Sequence, residues 1–136
     1  MIDIRIKSIP HNSQQYETVG DYWTNRDGSI EIRVSQLPLS DYELLIALHE
    51  LIEYWLVKNQ ISEDSINQFD KQFEASRQPG NEDEPGDDPN ATYRKQHLLA
   101  TGVEKIIAAE LGIDWKAYEA AVNSLNKTIN NTHNHE

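Results

Sequence analysis

Ile2, Ile4 and Ile6 alternate with Asp3, Arg5 and Lys7, the period of a strand with one buried face, and Pro10 ends the run. Residues 18–24 are rich in strand formers (Val19, Tyr22, Trp23), and Asn25-Arg26-Asp27-Gly28 carries turn chemistry, with Gly28 free to take a positive φ. Ile30, Ile32 and Val34 then alternate with Glu31, Arg33 and Ser35. The pattern predicts a hairpin and, with the first segment, a small antiparallel or mixed sheet of about three strands. Tyr22 and Trp23 are neighbours, so one of them must face the far side of the sheet as a surface aromatic available to a partner or peptide.

From Ser40 the period changes to that of a helix. Ser40 with Glu43 matches a capping box. Leu44, Leu48, Leu51 and Trp55, flanked by Leu45, Ile52 and Leu56, form a broad apolar stripe expected to face inward. His49 and Glu53 lie beside it, bordered by Ile46 and Val57, so the helix is apolar nearly all round and both polar groups should be out of solvent. Ser62 can cap a second helix with Ile66, Phe69 and Phe73 inward, Asp70 beside them and an end near Arg77. Residues 78–90, QPGNEDEPGDDPN, lack periodicity and read as a mobile, solvated connection, with a lid or a weak calcium patch as the other readings. A third helix is expected from Ala91 or Thr92 to Leu111, with Leu99, Val103, Ile106 and Ile107 inward and Gly112 as its left-handed stop. His97, Thr101 and Glu104 share one face of it. Asp114 caps a last helix lined by Trp115, Tyr118, Val122 and Leu125. The expected architecture is an α+β domain over residues 1–125, a small N-terminal sheet followed by three to four helices, with a polar, unstructured tail over 126–136.

Composition narrows the function classes. A chain of 136 residues is one domain by length and buries a core without covalent help. It has no cysteine, so any metal must be held by His, Asp and Glu. The N-terminus lacks the apolar core of a signal peptide, and no run reaches the roughly 18 apolar residues of a membrane span. A cytoplasmic protein is therefore expected. The formal charge of −11 repels phosphate backbones and anionic lipid, which argues against nucleic acid and membranes as partners.

His49 and Glu53, four apart, present a nitrogen and an anionic oxygen on one helical face, two positions for a divalent cation. His97 on the third helix can supply another if the two helices pack together, with Glu104 as a fourth ligand or as a partner orienting one. A 2-His-1-carboxylate set is the composition used by catalytic zinc and by non-haem iron. The small sheet followed by His49-Glu50-Leu51-Ile52-Glu53 resembles the active-site helix of the zincin metallopeptidases, and the size resembles zincin-like proteins of phage or prophage origin. The likeness spans residues 29–57 and the later helix. Glu53 stands where the second histidine of H-E-x-x-H belongs. The gluzincin branch draws its third ligand, a glutamate, from a following helix. Here that helix offers His97, so histidine and glutamate would have exchanged places. The resemblance implies a zinc site, or another divalent cation, in a hydrolase of peptide bonds acting on a peptide or protein substrate, with Glu50 as general base.

Two other readings stand beside it. The same residues can form a buried hydrogen-bonded His/Glu network in a non-enzymatic structural or protein-interaction domain. Glu50 and Glu53 with Asp70 or Glu104 can bind Mg²⁺ as in all-α nucleotide pyrophosphatases, against which stand the sheet and the scarcity of Lys and Arg near these residues. Asp70 reads as a surface carboxylate or as a partner orienting a ligand histidine. His133 and His135, in the polar tail, bind metal adventitiously at most.

Overall fold

In a computed structural model the described residues are 1–134, with side chains described through Leu125; the expected polar tail, with His133 and His135, falls outside those side chains. The chain builds β1 (Ile4–Ile9), β2 (Gly20–Thr24) and β3 (Ile30–Ser35), then α1 (Ser40–Val57), α2 (Glu63–Ala75), α3 (Arg94–Glu110) and α4 (Trp115–Asn134). This is the expected α+β arrangement, a three-stranded mixed sheet followed by four helices.

β3 is the central strand, parallel to β1 (Ile4 opposite Ile30) and antiparallel to β2 (Gly20 opposite Val34). The hairpin forms as its turn chemistry dictates: Gly28 takes φ 86°, and Asp27 Oδ1 accepts from the Ser29 amide at 2.9 Å. Ile30, Ile32 and Val34 are buried, as is Tyr22, whereas Trp23 faces outward under the Arg33 guanidinium, 4.7 Å from the ring centre. β1 departs from expectation. The early isoleucines alternate, yet Ile2, which precedes the strand, and Ile6 within it are exposed, because α1 packs against β2 and β3 and β1 is an edge of the sheet.

The helix boundaries follow local chemistry more closely than the helix faces do. Ser62 Oγ accepts from the Ser65 amide at 3.1 Å, Asp114 Oδ1 accepts from the Lys116 amide at 3.0 Å, and Gly112 takes φ 71° after α3. Ser40 does not cap. It is the first residue of α1 behind Leu39, and Glu43 instead accepts from the Leu37 amide at 2.8 Å. The expected inward stripe of α1 is also displaced: Leu44 and Trp55 are exposed, while Leu45, Ile46, Ala47, His49, Glu53, Tyr54 and Val57 are buried. On α3, Leu99 and Ile106 are exposed, whereas His97, Ala100, Glu104 and Ala108 are buried. Both helices turn their histidine and carboxylate toward each other. Small residues let the backbones approach, and the polar groups find partners across the gap that hydrophobic periodicity does not count.

The junction of β2 with α1 fixes the site's near wall. A Cβ built on Gly20 would lie 2.7 Å from Ile46 Cγ2 and 2.8 Å from Glu50 Oε1. Because Ile46 is buried and cannot yield, Gly20→Ala is expected to destabilise the fold by about 1–3 kcal/mol, read as a lowered urea midpoint at unchanged slope. An unshifted midpoint would show that this contact is slack.

Candidate metal centre

α1 supplies His49 and Glu53 one turn apart, and the packing of α3 on α1 brings His97 to them. His49 Nε2 lies 3.1 Å from Glu53 Oε2 and 3.1 Å from His97 Nδ1, and His97 Nδ1 lies 3.0 Å from Glu53 Oε2. Three donor atoms thus form a nearly equilateral triangle, with all three side chains buried. These residues can hold a metal ion.

Glu104, the other acid expected here, stands behind the triangle. Its Oε1 lies 2.7 Å from His49 Nδ1, and its Oε2 accepts from the Tyr118 hydroxyl at 2.5 Å. A carboxylate on Nδ1 draws that nitrogen's proton and leaves Nε2 with a lone pair aimed at the triangle. Tyr22 does the corresponding work for Glu53: its hydroxyl donates to Oε1 at 3.1 Å, and Oε2 is left for the histidines.

Without a cation the cluster binds protons instead. Burial alone would lower both histidines, but the carboxylates outweigh it: Glu104 and Glu53 raise His49 to about 11, and Asp87, Glu53 and Glu84 raise His97 to about 12. Burial pushes Glu53 up, but its bonds to the two histidines reverse this and hold it at about 2. Two charged rings would then face each other with N–H groups 3.1 Å apart. A single dication replaces both protons and removes that opposition.

Glu50 lies beside Gly20 of β2, close enough to Glu53 and His49 for their charges to act on it. Among the described residues no hydrogen bond holds its carboxylate, and burial together with the charge of Glu53 drives its pKa well above the ordinary carboxylate value. It lines a cleft of about 550 Å³ that also reaches His49, Glu53 and His97. Asp21 and Asp70 lie along the same wall, raised to about 6 and about 7, in both cases chiefly by burial. Asp70 does not orient a histidine. Tyr16 donates to its Oδ2 at 3.1 Å and Tyr93 to its Oδ1.

Sequence reasoning missed the far wall. The acidic loop is not merely a solvated connection: a short 3-10 turn, Pro85–Asp87, lies on the His97 ring. A Cβ on Gly86 would fall 2.2 Å from His97 Cγ, so only glycine lets the turn approach. The available signal was Glu84-Pro85-Gly86-Asp87 itself, a rigid turn flanked by carboxylates. Tyr22 and Tyr118 also escaped, because a periodicity count treats tyrosine as apolar and ignores its hydroxyl. No helix among the described residues is long and apolar enough to cross a membrane. Comparison with protein families, curated proteins and solved structures gives no match for this chain.

Proposed function

We propose that the chain is a zincin-like, zinc-dependent hydrolase of peptide bonds, with His49, Glu53 and His97 as the metal ligands. The donor triangle carries the proposal. Ligand atoms of a tetrahedral zinc site with bonds near 2.0–2.1 Å stand about 3.3–3.4 Å apart, close to the observed edges of 3.0 to 3.1 Å. Two nitrogens and one carboxylate oxygen also suit zinc, and the cleft leaves one side open for water or substrate.

A bound divalent cation would supply Lewis acidity, polarising a carbonyl oxygen and acidifying water. The remaining work belongs to the chain. Glu104, with Tyr118 behind it, orients His49; Tyr22 orients Glu53; the Gly86 turn holds the His97 ring in place. Glu50 receives the proton of the attacking water and passes it to the leaving amine, and a raised pKa brings its proton affinity nearer neutral pH. β2 is an edge strand beside the cleft, but its outward amides at Gly20, Tyr22 and Thr24 already donate to the Thr18, Asp21 and Glu63 side chains, so a peptide could add there as a strand only by displacing them. The charge of the cleft narrows the substrate class. Glu17, Asp21, Glu50, Asp70 and Glu84 line the cleft against Arg77 and Lys105, which disfavours phosphate esters.

A structural reading rests on the satisfaction of Glu53, which already has Tyr22, His49 and His97 as partners. One experiment separates the two. Protein purified without chelator is expected to carry zinc, and Glu50→Gln to carry as much while losing about 10²–10⁴-fold in hydrolysis of unstructured peptides. Metal-free protein that gains no thermal stability from Zn²⁺, Mn²⁺ or Mg²⁺ would leave the buried network as the answer. Equal loss of metal from Glu50→Gln and Glu53→Gln would indicate a carboxylate-bound Mg²⁺ instead.

A further inference from the structure

The turn over His97 brings more than backbone to the ring. Glu84 Oε2 stands 2.9 Å and Asp87 Oδ1 3.2 Å from His97 Nε2. His97 is only 4% exposed, and its Nε2 has no hydrogen-bond partner among the described residues, because neither oxygen lies in line with the ring N–H. Two carboxylates therefore pair by charge with a buried nitrogen to which neither makes an in-line hydrogen bond. The three donor atoms lie within 4.8 Å of one another, a spacing that a shared ion can span.

We propose that Glu84, Asp87 and His97 Nε2 form a second divalent-cation position, on the opposite edge of the ring from the His49–Glu53 position. The proposal rests on the metal reading of that first position, since His97 serves both. The two positions differ in chemistry. The inner one offers two nitrogens and one oxygen in a buried setting, whereas the outer one offers two oxygens and one nitrogen, with the Glu84 and Asp87 side chains 55% and 41% exposed. A carboxylate-rich, water-accessible set suits a harder cation such as Mn²⁺, which keeps part of its water and exchanges readily. With both positions filled, His97 would offer Nδ1 to the inner ion and Nε2 to the outer one, and both ring protons would pass to solvent.

The turn is built to hold these carboxylates in place without an ion. Asp87 Oδ2 accepts from the Glu84 amide at 3.3 Å, and the Asp87 amide donates to the Glu84 carbonyl at 3.0 Å. Asp87 thus spends one oxygen on the turn and turns the other toward His97. Asparagine at 87 keeps an oxygen for that cap, so Asp87→Asn changes the charge and leaves the turn intact.

The test uses the full chain purified without chelator, titrated with Zn²⁺ and then Mn²⁺, with metal counted per chain by native mass spectrometry. Wild type is expected to reach two ions and Glu84→Gln/Asp87→Asn one, the retained ion reporting that the variant is folded. Glu84→Gln alone is expected to weaken the outer ion about tenfold or more and leave the inner one unmoved. One ion per chain in both wild type and the double variant overturns the outer position while sparing the inner one. A single wild-type ion lost from the double variant also overturns it, by showing that loop and helices hold the same ion. No ion in wild type removes both positions.

Discussion

Chelation is expected to lower the thermal midpoint by roughly 10–20 °C, and His97→Ala to reproduce that loss beyond rescue by zinc. An ion bound only by the native state stabilises it by about 4 kcal/mol at a concentration a thousandfold above its dissociation constant. In a domain of this size, 1 kcal/mol corresponds to roughly 3–5 °C. The loss should be large because the ion neutralises charge that the fold has already buried: Glu53 and Glu104 are each under a tenth exposed. His97→Ala removes one corner of the triangle and strips Glu53 of a partner at 3.0 Å, so added zinc has too few ligands to restore stability. Scanning calorimetry of wild type and variant, each with chelator and with excess zinc, checks both parts. Coincident wild-type curves under the two conditions would rule out a tightly held cation.

The fold was legible wherever a local rule decides structure. Asn25 to Gly28 specifies a turn, Ser62 and Asp114 specify helix starts, and the alternation of Ile30, Ile32 and Val34 specifies a strand. Helix phase was not legible on α1, because a helix apolar on most sides has no periodic signal strong enough to choose its inner face. The choice there falls to the polar groups: His49 and Glu53 need partners when buried, and only α3 and Tyr22 supply them. Ile6 failed for a different reason, since alternation shows which face is apolar and not whether anything covers it. At the site, helical spacing placed His49 beside Glu53, and only the packing of α1 on α3 shows that His97 meets them and that Glu104 reaches His49 from the other ring nitrogen. Glu84 and Asp87 lie in a segment without periodicity, where their approach to His97 depends on Gly86 fitting against the ring.

The stability that zinc adds is expected to grow with pH while that of the stripped protein falls. In the stripped protein His49 and His97 titrate near 11 and 12 instead of near 6.5. The folded state therefore holds more protons than the unfolded chain above about pH 6.5, and stability falls as pH rises. Asp21 and Asp70, raised to about 6 and about 7, act in the same direction at lower pH: their contribution is complete below about 3.8 and is lost as pH rises through those values. Glu53, held at about 2, opposes them only in acid, where its contribution is lost as pH falls from about 4.5 toward 2. Stability without metal should thus decline from about pH 5 upward. Zinc must displace the protons on both ring nitrogens facing the triangle, so its apparent affinity should rise by up to about a hundredfold per pH unit while both rings are protonated. The difference in midpoint between loaded and stripped protein should therefore widen from pH 5 to pH 8, which calorimetry at unit steps with and without saturating zinc measures. A constant gap would mean that binding releases no protons and that the two rings are not doubly protonated in the stripped protein.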